Sequence, residues 1–159
     1  MDAIQAKFYR INRGGDITYH GPGQLVAYPI LDLDYLFTDV HKFVRLLEQT
    51  VMDVLSEFGV KSCRIDGLTG VWIVEPDKKP RKICAIGVHL SRWVSLHGLA
   101  FNINTDLNYF NYIIPCGIDP QQKEVTSLSR ELGRIVQLEE VKVIFIHYFV
   151  KHFNLNIIS

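Results

Sequence analysis

"GVWIVEPDKKPRKICAIGVHL", residues 70–90, holds two apolar runs separated by a polar turn. "GVWIVE" and "KICAIGVHL" have the length and β-branched content of strands, so the stretch reads as a β-hairpin turning across residues 76–81. Working outward, "SCRI" (62–65) precedes it as a further strand, and "GLAFNINT" (98–105) follows after a short turn as another. Near the start, "KFYRIN" (7–12) alternates in the manner of a strand, and "QLVAYPI" (24–30) is an apolar run bounded by turn residues, the mark of a buried strand. Between the hairpin and this front part, Val40, Phe43, Val44, Leu47, Val51, Val54, Leu55 and Phe58 recur at helical spacing, which predicts a helix over 39–58. Thr38 or Asp39 is available as its N-cap, and Gly59 can end it in the left-handed conformation. A second helix is predicted near the C-terminus, where Glu139 and Glu140 suit a helix N-terminus and Val141, Ile144, Phe145, Tyr148 and Phe149 supply an apolar face. Strands with two sizeable helices give an α+β class: a central mixed or antiparallel sheet flanked by helices. Helix and strand alternate too sparsely for a doubly wound sheet.

The chain has 159 residues and 48% hydrophobic content, the size and apolar share of one globular domain spanning 1–159. Lys plus Arg (17) balance Asp plus Glu (17), so no global field draws the protein to nucleic acid or an anionic membrane. The opening "MDAIQAKFYR" has neither the basic nor the apolar region of a signal peptide, and the apolar runs are short, which fits a cytoplasmic location. Cys63, Cys84 and Cys116 form no Cys-x-x-Cys pair, and the six histidines are scattered, so neither a disulfide framework nor a metal site is expected.

Four stretches invite chemistry. In "NRGGDITYHGPGQ" (12–24), glycines let backbone N–H groups approach a ligand closely, while Arg13, Thr18, Tyr19 and His20 offer side-chain donors. Pattern alone leaves a strained turn and a binding loop equally open, and the spacing is neither a phosphate-binding Walker loop nor a dinucleotide fingerprint. Cys116, between Pro115 and Gly117 in "IIPCGI", has the setting of an exposed nucleophile or of a small corner-filling hydrophobe. Cys63 and Cys84 fall in strand-like runs where burial keeps a thiol protonated and inert. Lys82 is either a solvated turn charge or, turned inward, a group able to lower the pKa of Cys116 and move protons. His97 suits a structural hydrogen bond, and the small residues Gly98 and Ala100 suit a tunnel floor or close strand packing.

Read in order, "RGGDITYHGPGQ" (13–24), "KICAIGV" (82–88), "SLHGLAFNIN" (95–104), "IIPCGI" (113–118) and "VTSL" (125–128) resemble the lipoyl(octanoyl) transferase family. The resemblance implies a fold like the catalytic domain of biotin and lipoate protein ligases. It implies transfer of an octanoyl group from octanoyl-acyl carrier protein to a lysine of a lipoyl domain, whether in 2-oxoacid dehydrogenases or in the glycine cleavage H protein. By the same resemblance Cys116 is the acyl-thioester nucleophile and Lys82 the lysine that lowers its pKa and serves in proton transfer. Three substrate-binding stretches follow: Arg13, Gly14, Gly15, Asp16, Ile17, Thr18, Tyr19 and His20; Ala85, Ile86 and Gly87; and Gly98, Leu99 and Ala100. No ATP, metal or other cofactor is implied.

Family members carry a substantial segment before the Arg-Gly-Gly motif, including a helix, strands and a His-Pro stretch near the pocket. Only twelve residues precede Arg13 here, so the chain resembles a member lacking its front portion. Two other readings follow: a non-catalytic paralogue that holds carrier or lipoyl domains, and an ATP-dependent lipoate ligase relative.

Overall fold

In a computed structural model, residues 7–15, 17–113 and 121–157 are described. The chain runs β1 (Gln24–Ala27), α1 (Val40–Glu57), β2 (Cys63–Ile65), β3 (Leu68–Ile73), β4 (Arg81–Ser91), β5 (Val94–Asn102), β6 (Glu124–Val125), α2 (Leu128–Leu132) and α3 (Leu138–Phe153). Short 3₁₀ turns cover Leu33–Tyr35 and Leu107–Tyr112. The predicted hairpin is β3–β4, antiparallel, with Val71 opposite Cys84 and Ile73 opposite Arg81. The sheet order is β1-β5-β4-β3-β2, and β6 pairs parallel with the start of β4, so the sheet is mixed.

Helix α1 forms where the 3.6-residue period predicts it. Asp39 caps it by accepting from the Lys42 N–H at 3.0 Å, and Gly59 ends it at φ +71°. Its apolar face buries Phe43, Leu47, Val51, Val54 and Leu55 completely, against β3 and β4. Helix α3 packs on α1, with Phe153 against Phe37, Phe43 and Phe149. The two helices and the sheet face beneath them enclose the core.

Two stretches depart from the sequence reading. Residues 7–12 form no strand: Phe8, Tyr9 and Ile11 are exposed, and no ladder pairing joins this stretch to the sheet among the described residues. Alternation makes a strand only where a sheet edge supplies partners. Strand β5 begins at Val94 rather than Gly98, because a two-residue turn at Arg92 and Trp93, both at positive φ, brings Val94 opposite Ser91 and zips the ladder from there.

Candidate functional site

The two central strands β4 and β5 decide what lies above the sheet. Side chains alternate between faces along a strand, and residues directly opposite share a face. Gly87 stands opposite Gly98 and Ala85 opposite Ala100, so four very small residues form one continuous floor. On the other face, Leu99 and Phe101 are buried in the core. The loop of residues 13–20 crosses this floor, with the Gly14 N–H donating to the Val88 carbonyl at 3.0 Å. A Cβ on Gly87 would stand 2.6 Å from the Gly14 carbonyl oxygen, so only glycine lets the loop lie this close to the sheet.

Between loop and floor is a cavity of about 330 Å³. Of the residues expected to bind substrate, every described one but Tyr19 lines it, and Lys82 lines it too. Tyr19 turns away and stacks on Tyr109 with ring centroids 5.0 Å apart, where burial first and then Tyr109 and Asp106 raise its pKa. Asp16 and Cys116 lie outside the described residues. His97 is absent from the wall, and its Nε2 lies 3.0 Å from the Asn12 carbonyl.

Lys82 reaches the cavity through an irregularity in the ladder. Strict alternation would put Lys82 on the same face as Cys84, toward the core. The pairing slips by one residue between Val71–Cys84 and Trp72–Lys82, so Ile83 is supernumerary and Lys82 takes the face of Trp72. The side chain is 7% exposed, and its ammonium sits 4.7 Å from the centre of the Trp72 ring, a cation–π distance. The described wall holds the cations Lys82 and Arg13 and no carboxylate, so the cavity favours negative charge developing in it.

The chain after the segment containing Cys116 is fastened beside Lys82. Val125 of β6 lies opposite Lys82, and the Thr126 N–H donates to the Lys82 carbonyl at 2.9 Å. Arg81 grips Glu131 of α2 through two hydrogen bonds of 2.9 Å each. Burial by itself would raise the Glu131 pKa, but the bonds from Arg81 and Thr126 prevail and lower it. Cys84 is fully buried and Cys63 half-buried, and desolvation raises both thiol pKa values, as expected for packing cysteines.

The sequence reading missed a polar network in the wall. Gln24 Nε2 donates to the Tyr19 carbonyl (3.1 Å) and to Asn102 Oδ1 (2.9 Å), and Asn102 Nδ2 donates to the Thr126 carbonyl (3.0 Å). Gln24 Oε1 lies 2.8 Å from His20 Nδ1, and the Tyr28 hydroxyl 3.2 Å from His20 Nε2. The available signal was Asn102 inside the apolar "GLAFNINT": a polar side chain in a buried strand needs partners.

Among the described residues no helix is long and apolar enough to cross a membrane. A family model of the lipoyl protein ligase A/B catalytic domain matches residues 1–150. The chain is 57% identical over 154 residues to an octanoyltransferase of Christiangramia forsetii, covering 96% of this chain and 65% of that protein. It is 54% identical over 159 residues to an octanoyltransferase of Flavobacterium johnsoniae, covering 99% and 68%. It thus spans about two thirds of the length of these relatives. Among solved structures it is similar to an archaeal bipartite lipoate protein ligase from Thermoplasma acidophilum, with TM-score 0.66 and 19% identity over 92% of this chain and 58% of that one. A biotin protein ligase from Aquifex aeolicus matches with TM-score 0.63 and 17% identity over 83% and 53%, so the expected ligase-like fold is the one observed. With the glycine-floored cavity, the matched domain and these relatives taken together, the chain belongs to the lipoyl protein ligase A/B catalytic-domain family.

Proposed function

We propose that this chain carries the acyl-transfer chemistry of an octanoyltransferase. It takes octanoyl from acyl carrier protein onto Cys116 and passes it to a lysine of a lipoyl domain, in the cytoplasm and without ATP or metal. The observation that carries the reading is Lys82, turned by the β4 bulge into an apolar-floored cavity beside the point where the chain returns from the Cys116 segment. The Cys116 thiolate attacks the carrier thioester, and the pantetheine sulfur leaves as a thiol; exchanging one thioester for another is nearly balanced. The ammonium of Lys82 favours the thiolate over the thiol. The acceptor amine then attacks the acyl-cysteine, the carbon–sulfur bond breaks, and the amide formed makes this second step downhill. Arg13, Gly14, Gly15, Asp16, Ile17, Thr18, Tyr19 and His20 belong to the substrate-binding loop, and within the substrate-binding stretches Ala85–Gly87 and Gly98–Ala100 the small residues Ala85, Gly87, Gly98 and Ala100 form the floor on which the acyl tail lies. Burying an octanoyl tail there stabilises the complex by roughly 5 kcal/mol at ~0.8 kcal/mol per methylene.

Intact-mass measurement after incubation with octanoyl-acyl carrier protein tests the reading. The wild-type chain should gain one octanoyl group and Cys116→Ala none, and an added lipoyl domain should become acylated on lysine without ATP. An adduct that survives in Cys116→Ala would refute the nucleophile. A strict need for ATP would point to a ligase, and binding without any acylated product to a non-catalytic module.

A further inference from the structure

The network behind the cavity wall determines which ring nitrogen of His20 carries its proton. Asn102 Nδ2 is fixed as a donor by a backbone carbonyl, that of Thr126, so Oδ1 is the atom facing Gln24. Gln24 Nε2 is likewise fixed by the Tyr19 carbonyl, so Oε1 is the atom facing His20. Backbone carbonyls accept only, and neither amide can be flipped without setting oxygen against oxygen. An acceptor 2.8 Å from His20 Nδ1 requires a proton on Nδ1, and a neutral ring then carries its lone pair on Nε2. The Tyr28 hydroxyl, 3.2 Å away, is the donor to that lone pair.

Gln24 and Asn102 are both buried, whereas His20 is exposed at the cavity mouth, so the relay has a rigid end and an accessible one. Among the described wall residues Lys82 and Arg13 are the cations, His20 is the imidazole, and none is a carboxylate. An acceptor lysine arrives as an ammonium and must lose a proton before its nitrogen can attack. Lys82 is committed to the sulfur, and His20, whose Nε2 the network leaves as an acceptor, is the other group of the described wall able to take that proton.

We propose that Gln24 and Asn102 lock His20 in its Nδ1–H tautomer, so that Nε2 at the cavity mouth takes the proton from the amine that attacks the acyl group. The catalytic half of this rests on the acyl-transfer reading above. Nε2 takes one proton from the ε-ammonium, replacing the phenol of Tyr28 as its donor. The freed nitrogen pair forms the carbon–nitrogen bond. The carbon–sulfur bond breaks with its pair on sulfur, and the sulfur takes the second proton from nitrogen.

Nitrogen-15 NMR of the histidine rings, with His20 assigned by its loss in His20→Gln, tests the lock directly and needs no turnover. The wild-type chain should show Nδ1–H for His20, and Gln24→Leu should shift the ring toward Nε2–H. A wild-type Nε2–H ring would overturn the lock. Single-turnover mass spectrometry then separates the half-reactions. His20→Gln should slow acyl transfer from the enzyme to a lipoyl domain roughly a hundredfold. It should slow loading from octanoyl-carrier protein at least tenfold less, and hydroxylamine, largely unprotonated at neutral pH, should discharge the loaded variant and wild type at similar rates. Equal slowing of both half-reactions, or equally slow discharge by hydroxylamine, would overturn the role as base. A wild-type chain that accepts no acyl group overturns the transfer reading and the base together, while the NMR result still decides the tautomer.

Discussion

At the scale of single residues, the floor of the cavity is where one carbon atom matters most. A Cβ on Gly98 would lie 2.1 Å from the Ala27 carbonyl oxygen and 2.9 Å from Pro29 Cδ, and the first of these is backbone that can yield only if β1 and β5 part. Gly98→Ala should therefore destabilise the fold by about 1–3 kcal/mol, as overpacking a tight site does. Urea denaturation measures this, and a variant as stable as wild type would show that β1 moves freely. Sequence reading offered both uses of Gly98 and Ala100, tunnel floor or close packing. The structure has both at once, because a glycine that admits a neighbouring strand also leaves space above the sheet. Lys82 was legible as a candidate but its direction was not, since strict alternation would turn it to the core and only pairing with β3 displays the extra residue.

At the scale of elements, the contact between β4 and α2 holds the chain beside Lys82. Arg81 and Glu131 have side chains only 9% and 11% exposed, and Glu131 also accepts from the Thr126 hydroxyl. Glu131→Gln leaves the Arg81 guanidinium without its full partner and should cost about 1–3 kcal/mol near neutral pH. The folded-state pKa of Glu131 lies below its ordinary 4.5, so its contribution is present above that value and lost as pH falls through the lower, folded value. The stability gap between wild type and variant should accordingly shrink in acid below pH 4.5, and unfolding curves at several pH values check this. Helix α1 could be read from its period and its Asp39 cap because eighteen residues repeat the same face. Helix α2, with five residues, and β6, with two, are too short to show any period and are held by tertiary contacts.

At the scale of the whole molecule, the small-residue floor of the cavity and the aromatic core lie on opposite faces of one sheet. The helical side carries the aromatic cluster that joins the C-terminus of α3 to α1: Phe153, 3% exposed, touches Phe37, Phe43 and Phe149. Phe153→Ala should cost about 3–5 kcal/mol in global unfolding while leaving the rings of the cavity side undisturbed. Denaturation together with NMR of His20 and Tyr28 would detect any coupling between the two sides. The layered plan was legible because apolar periodicity reports which face each element buries. The loop over the floor and the amide chain from Gln24 to Thr126 were not, since both depend on residues far apart in sequence meeting across strands. The supernumerary Ile83 links the two sides. Excising that single codon would set Lys82 next to Cys84 and still across from Trp72, so the ammonium would keep its side while the core gave up a fully buried isoleucine; the extra residue in β4 is what lets two successive side chains sink into the core without turning away the lysine that precedes them.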